Sequence, residues 1–310
     1  MIVETNVAEN LSPSIAADTP RLLVDCNFCG STNTHPYCPE NERGLVQCEQ
    51  CGLVYVGARP DPEALYTLYN EQYFSSDDSG SVGYSDYIAD ERNIRKTFER
   101  RLKVLEKYVA PGRLLDVGCA AGFFVSEAAQ RGWDVQGLDV SEFAVNYVQE
   151  QFGFDAQLGS LLDLDYAPGT YDLVTMWDVI EHVPDPMAHM EKIATLLRPG
   201  GIFVLATPDV GSIPARLTGK RWIGYKMADE HIYYFSVKTL TQMLDKAGFA
   251  VVQHYPVGKY VTMSLFFDRL AFYLPFVEQV NNFLNRFFGL NEKAAYINPL
   301  DIVAITARKR

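Results

Sequence analysis

Residues 114–122, Leu-Leu-Asp-Val-Gly-Cys-Ala-Ala-Gly, constrain the fold more than any other stretch of this chain. An apolar run carrying Asp116 breaks at Gly118, Gly122 follows four residues later, and Phe123–Gln130 reads as a helix. A strand, a glycine turn and a helix start suit a backbone that must approach a bound nucleotide closely. The glycine spacing narrows the nucleotide. A dinucleotide fingerprint beginning at Gly118 needs glycines at 120 and 123, where this chain has Ala120 and Phe123. A second strand-like run, Trp133–Leu138, ends in Asp139. A carboxylate at that tip can accept hydrogen bonds from both hydroxyls of a ribose. The plainer reading of Asp139 is a cap for the helix starting near Ser141.

Strand-like runs near 113–118, 133–139, 155–158, 171–177, 201–207, 249–255 and 300–308 alternate with helical ones near 122–131, 141–152, 186–197 and 236–247. This alternation predicts an α/β fold, a mostly parallel sheet with helices on both faces. Residues 59–110 read as a helical linker or lid. One helix starts at Asp61-Pro62-Glu63 and a second covers Ile88–Tyr108, with a polar loop at Ser75–Ser81 between them. Tyr73, Tyr84 and Tyr87 flank that loop, either packing it on the core or closing over a ligand.

Four of the six cysteines form two knuckles, Cys26-Asn-Phe-Cys29-Gly30 and Cys48-Glu-Gln-Cys51-Gly52. Two CxxC pairs at this spacing point to a structural tetrahedral zinc ion in a ribbon covering 21–58, against disulfides or free thiols as alternatives. Cys38 and His35 lie inside the loop as competing ligands. With all four positions filled by protein, such a metal has no open site for catalysis.

The motifs LLDVGCAAGFF (114–124), VQGLDVS (135–141), YDLVTMWDVIEHVPDP (171–186) and LLRPGGIFVLATP (196–208) together resemble a class I S-adenosylmethionine-dependent methyltransferase. That resemblance covers about residues 111–255 and the last strand. It implies a Rossmann-like, doubly wound, seven-stranded sheet over 111–310, whose last strand runs antiparallel between the fifth and sixth. It places Asp116, Gly118, Cys119, Gly122, Asp139, Val140, Ser160, Leu161 and Trp177 at the S-adenosyl-L-methionine site, with Asp116 near the methionine amino group and the 159–161 loop near the adenine. Asp229-Glu230-His231, before an aromatic run, resembles the active-site loop of zinc-containing sugar methyltransferases. There His231, beside Glu230, is the candidate base, and His182 the second choice. An imidazole with a pKa near 6.5 can take a hydroxyl proton at neutral pH. No catalytic metal is expected, and His189 and His254 read as structural or surface residues.

The acceptor suggested by this resemblance is a small molecule, most simply a sugar hydroxyl. The alternatives are a lipid- or quinone-like acceptor at a membrane surface, or an RNA or protein substrate read by the ribbon. A net charge of −12 and the lack of a basic patch beside the cysteines argue against nucleic acid. Residues 1–20 read as a disordered leader rather than a signal peptide, and no apolar run reaches eighteen residues, so a cytoplasmic location is expected. The aromatic-rich segment 256–298 reads as an amphipathic helical insertion before the last strand. It would serve as packing, a homodimer interface, a lid or a peripheral membrane contact.

Overall fold

The computed structural model describes residues 20–37, 44–69, 73–74, 87–227, 230–274, 276–277, 279–281, 289 and 293–310. The expected leader, Cys38, the Ser75–Ser81 loop, Tyr84, Asp229 and most of 282–292 lie outside them.

The N-terminal part consists of short strands around the cysteines. Strand β1 (Leu22–Leu23) pairs with β5 (Ala58–Arg59), while β2 (Thr34–Pro36), β3 (Leu45–Cys48) and β4 (Val54–Val56) form an antiparallel meander. Helix α1 (Pro62–Tyr66) starts where Asp61 accepts the Ala64 N–H at 2.9 Å and proline fills the first turn. Helix α2 spans Glu91–Leu105, shorter at both ends than the expected 88–108. Its stripe of Ile94, Phe98, Leu102 and Leu105 is buried.

The central sheet then builds up by alternation: β6 (Arg113–Val117), α3 (Phe123–Gln130), β7 (Asp134–Asp139), α4 (Glu142–Phe152), β8 (Asp155–Leu158), β9 (Tyr171–Trp177), α5 (Pro186–Leu196) and β10 (Leu197–Pro208). Residues 198–201 lie within β10 as a register shift against β9 between Leu197 and Ile202. Helix α6 (Ile213–Thr218) follows. Next come β11 (Tyr233–Tyr234), α7 (Val237–Lys246) and β12 (Phe249–Pro256), and β15 (Ile302–Lys309) closes the sheet. Its order is β12-β15-β10-β9-β6-β7-β8, and β15 runs antiparallel to both neighbours, as expected. Apolar side chains fill both faces. Leu115, Val174, Met176 and Phe203 pack on one face, and Leu114, Leu173, Ile202 and Val204 on the other, as the period of two requires.

Two features depart from the sequence reading. The 256–298 segment is not simply helical. It opens and closes as an antiparallel ribbon, β13 (Lys259–Thr262) against β14 (Ala294–Ile297), with α8 (Met263–Ala271) between them. The second departure is β11, which pairs antiparallel with β4 and completes a four-stranded sheet, β11-β4-β3-β2. The sheet around the cysteines thus takes one strand from far along the chain. The knuckle is also tied down by side chains. Asn27 donates to Asp185 at 2.8 Å and accepts the Met187 N–H at 3.0 Å, while Lys246 donates to the Phe28 carbonyl at 2.7 Å.

Candidate functional site

At the C-terminal ends of β6, β7 and β9 the chain opens a cavity of about 880 Å³. An open parallel sheet is expected to bind its ligand there. The glycine turn forms one wall. Gly118, Ala120 and Gly122 all have φ between +48° and +75°. At Gly118 a Cβ would lie 2.4 Å from Val179 Cγ2, so only glycine keeps the backbone this close to the next loop. Gly122 is not among the lining residues. It serves packing instead, since a Cβ there would meet Val148 Cγ2 at 2.7 Å.

Asp139 sits at the tip of β7 and accepts the Ala120 and Ser141 N–H groups at 2.8 and 2.9 Å. It therefore orders the glycine loop, and the helix cap beside it falls to Ser141, which accepts from Ala144 at 3.4 Å. A carboxylate has about four acceptor sites, so two backbone bonds leave capacity for a ligand. Asp116 is buried and accepts the Thr175 hydroxyl at 2.6 Å. Burial pushes both carboxyls above the usual carboxylate range, against the Thr175 bond at Asp116 and backbone amides at Asp139. Val140, Ser160 and Leu161 line the cavity beside them, as does the buried Cys119. The small side chain of Cys119 fits against Gly137, where a Cβ would come within 2.8 Å of its sulfur. Trp177 reaches the cavity but lies mainly in an aromatic cluster, 5.3 Å from Phe124 and 6.2 Å from Phe98.

Two cavity residues escaped the sequence reading. Arg101 on α2 is 4% exposed, and its guanidinium lies 4.7 Å over the Trp177 ring. Its Nε and Nη2 have no hydrogen-bond partner in the structure. A buried cation in that state is built for an anionic group. The signal was present, since Arg101 falls in the apolar stripe of α2, where a charge has no packing reason to be. Lys259 at the start of β13 pairs with Asp178 at 2.9 Å. Asp178 itself holds φ at +57°. No local pattern announces this pair, because the ribbon alone brings Lys259 to the site.

The third wall is a cluster of two histidines and a glutamate. Glu181 is 1% exposed, and neither side-chain oxygen has a hydrogen-bond partner. The rings of His182 and His231 lie 4.6 Å apart, nearly perpendicular. His182 Nδ1 is 3.0 Å from the Glu230 carbonyl and 2.9 Å from the Tyr69 hydroxyl. Glu230 thus orients His182 through its backbone. Ile232 and Tyr233 donate their N–H groups to the Glu181 carbonyl at 3.0 and 3.1 Å, pinning the His231 segment to the loop after β9.

Burial and then the Asp178 charge push Glu181 up to about 8, and burial pushes His182 down to about 4. Burial and the neighbouring His182 depress His231 well below the usual 6.5, which favours its neutral ring. His189 is buried as expected of a structural residue, with Nδ1 2.7 Å from the Asp185 carbonyl, and His254 is exposed.

Away from the cavity, the four knuckle sulfurs converge. Cys26 and Cys51 lie 3.4 Å apart, and Cys29 and Cys48 lie 3.5 Å apart. Tetrahedral zinc with Zn–S bonds of about 2.3 Å spaces its sulfurs roughly 3.8 Å apart, so the cluster suits such an ion. His35 is on β2 near Glu49 and takes no part in it.

A family model described as a methyltransferase domain matches residues 89–254, just over half of the chain. The chain belongs to the methyltransferase domain family. It shares its fold with solved S-adenosylmethionine-dependent methyltransferases. A ubiquinone biosynthesis O-methyltransferase of Pectobacterium carotovorum is 38% identical over 109 residues, 31% of this chain and 42% of the relative. One of Xanthomonas campestris is 35% identical over 111 residues, 34% of this chain and 46% of the relative. The chain thus spans less than half the length of these relatives. A S-adenosylmethionine-dependent methyltransferase from Archaeoglobus fulgidus shares the fold, with a TM-score of 0.50 at 18% identity over 72% of this chain and 99% of that one. A Bacillus halodurans protein does so with a TM-score of 0.51 at 15% identity, over 68% and 98%. Among the described residues no helix is long and apolar enough to cross a membrane.

Proposed function

We propose that this methyltransferase methylates an oxygen of a small, ring-bearing, largely apolar acceptor of quinone-like type. The observation that carries this reading is the single cavity joining the glycine turn to the Glu181–His182–His231 cluster. Its far side is mostly apolar and aromatic, with Trp222, Phe266, Leu270 and Tyr273. The sugar acceptor suggested by the sequence would meet more apolar than polar groups there, Trp222, Phe266, Leu270 and Tyr273 against Thr218, Arg269 and Asp301. The names of the Pectobacterium and Xanthomonas relatives point the same way.

In this reading Asp139 holds the ribose, Asp116 faces the amino group, and Arg101 takes the carboxylate of the cofactor's methionine part. Gly118, Cys119, Val140, Ser160 and Leu161 shape the wall along the nucleoside, and Trp177 closes the floor. The cofactor supplies an activated methyl group on a sulfonium. The protein then has to hold the acceptor oxygen in line and about 3 Å away, and keep water out. Cys26, Cys29, Cys48 and Cys51 hold a structural zinc ion. Without a metal, a module of so few residues has too small a core to stay folded.

The test is transfer of labelled methyl from S-adenosylmethionine to a panel of dihydroxybenzenes with short prenyl tails and to nucleotide sugars. Label on the ring hydroxyls supports the reading. Label confined to the sugars overturns the acceptor class and restores the sugar reading.

A further inference from the structure

We propose that Glu181, His182 and His231 form a binding site for a divalent cation, separate from the four cysteines, and that this cation holds the acceptor oxygen.

The geometry carries the proposal. One carboxylate oxygen and one ring nitrogen from each histidine all lie within 4.8 Å of one another, on the wall of the methyl-transfer cavity. Small side-chain shifts bring them to the bond lengths of about 2.0–2.2 Å that a first-row divalent ion takes with imidazole and carboxylate. Both Glu181 oxygens and His231 Nδ1 are buried and unpartnered. A cation satisfies the carboxylate and both rings together.

The surroundings match a ligand set. The Glu230 carbonyl and the Tyr69 hydroxyl at His182 Nδ1 fix that ring and leave Nε2 as the ligating atom, the usual outer support of a metal-bound histidine. The Ile232 and Tyr233 N–H bonds to Glu181 fix the other two ligands relative to each other. Asp178 is not a fourth ligand, since Lys259 already occupies its carboxylate. Two imidazoles and one carboxylate leave an ion with a net positive charge and open positions toward the cavity. This donor set suits zinc, cobalt, manganese or iron in the divalent state.

The consequence for chemistry rests on the methyl-transfer reading, whereas the binding itself does not. An ion with open positions binds the acceptor hydroxyl and lowers its pKa, so the O–H proton leaves to solvent. The oxyanion then forms the O–CH3 bond as the S–CH3 bond breaks, and the sulfonium departs as a neutral thioether. No oxidant or reductant is consumed. The cation replaces the histidine base, which a ring as deeply buried as His231 would make poorly. Two adjacent ring oxygens fit the open positions better than one, so vicinal dihydroxy rings are the preferred acceptor class.

The test uses the full chain and counts metal. The wild-type protein, equilibrated with Co2+, is expected to hold two equivalents. One shows strong thiolate-to-cobalt charge-transfer bands from the cysteines, and the other shows only weak visible bands from nitrogen and oxygen ligands. Glu181→Gln and His231→Ala should each lose the second equivalent and keep the first, with the retained thiolate bands showing that the N-terminal part is still folded. A wild-type protein with one equivalent, or variants still holding two, overturns the proposal. Binding of two equivalents without methyl transfer to any oxygen acceptor leaves the cation site standing and removes the acceptor reading. Transfer that proceeds with one equivalent does the reverse.

Discussion

The Lys259 ammonium lies 2.9 Å from a carboxylate oxygen of Asp178 and so fastens the ribbon before the last strand to the loop after β9. Burial acts to raise the Asp178 carboxyl, but Lys259, with Arg101, holds it below the usual range. Lys259→Met removes the main counter-charge and should destabilise the protein by about 1–3 kcal/mol, between the values for exposed and fully buried pairs. Adding Asp178→Asn should recover part of this loss, read as a double-mutant cycle from denaturant unfolding. The pH dependence has a definite sign. Because the folded pKa is depressed, the stabilisation is present above the unfolded value near 3.8 and is lost as pH falls through the folded value. Asp178→Asn should flatten the acid limb below about pH 4.

Arg101→Met should weaken S-adenosylhomocysteine binding by roughly 10- to 100-fold, the range for a lost charge-assisted bond of about 1.5–3 kcal/mol. Calorimetric titration checks this. Unchanged affinity would instead assign Arg101 to the acceptor, and the loss should then appear in the acceptor KM.

Gly118→Ala places a methyl group 2.4 Å from Val179 Cγ2 in a backbone with φ +75°. A loss of about 1–3 kcal/mol and a marked loss of cofactor affinity are expected. Val179→Ala in the same chain should relieve the contact but not the backbone strain, so thermal unfolding should show partial rescue only.

Asp139→Asn keeps the shape but replaces one of the two oxygens by an NH2 group that cannot accept from Ala120 or Ser141. Cofactor binding should fall at least tenfold, and amide exchange should rise in the 118–122 loop.

The parts of this protein that were legible in the sequence are those whose physics is local. Gly118 must be glycine because of its own backbone angle and one neighbour, and the knuckles announce themselves by spacing. The stripe of α2 made Arg101 conspicuous, yet its meaning depends on Trp177 and the cavity behind it. Of the Glu181–His182–His231 cluster, the two histidines stand out in the sequence as candidate bases, but their meeting with Glu181 does not. Its two halves sit in loops after different strands, so only the fold brings them together. The 256–298 segment is helical in α8, where its apolar residues fall at helical spacing, while the short strands at its ends pair with each other and carry no such local signal.

Removal of metal from the cysteines should reach the cavity. Val56 donates to the Ile232 carbonyl at 2.9 Å, next to His231, and Tyr55 pairs with Tyr233. Chelation strong enough to strip the cysteines is expected to broaden the resonances of His231 and to abolish transfer while leaving the far strands β7 and β8 protected from exchange. Persistent activity without cysteine-bound metal would show that β11 holds its place unaided.

The strand β11 also says how this chain can be cut and recombined. Because the four-stranded sheet draws Tyr233–Tyr234 from beyond the end of β10, the N-terminal part cannot be excised as a cassette. A chimera that swaps residues 21–58 alone would leave one sheet short of an edge and the other part with an orphaned strand. A viable exchange must carry the 230–235 segment along with the cysteines, so inheritance of the two pieces is expected to be linked across the whole length of the catalytic sheet.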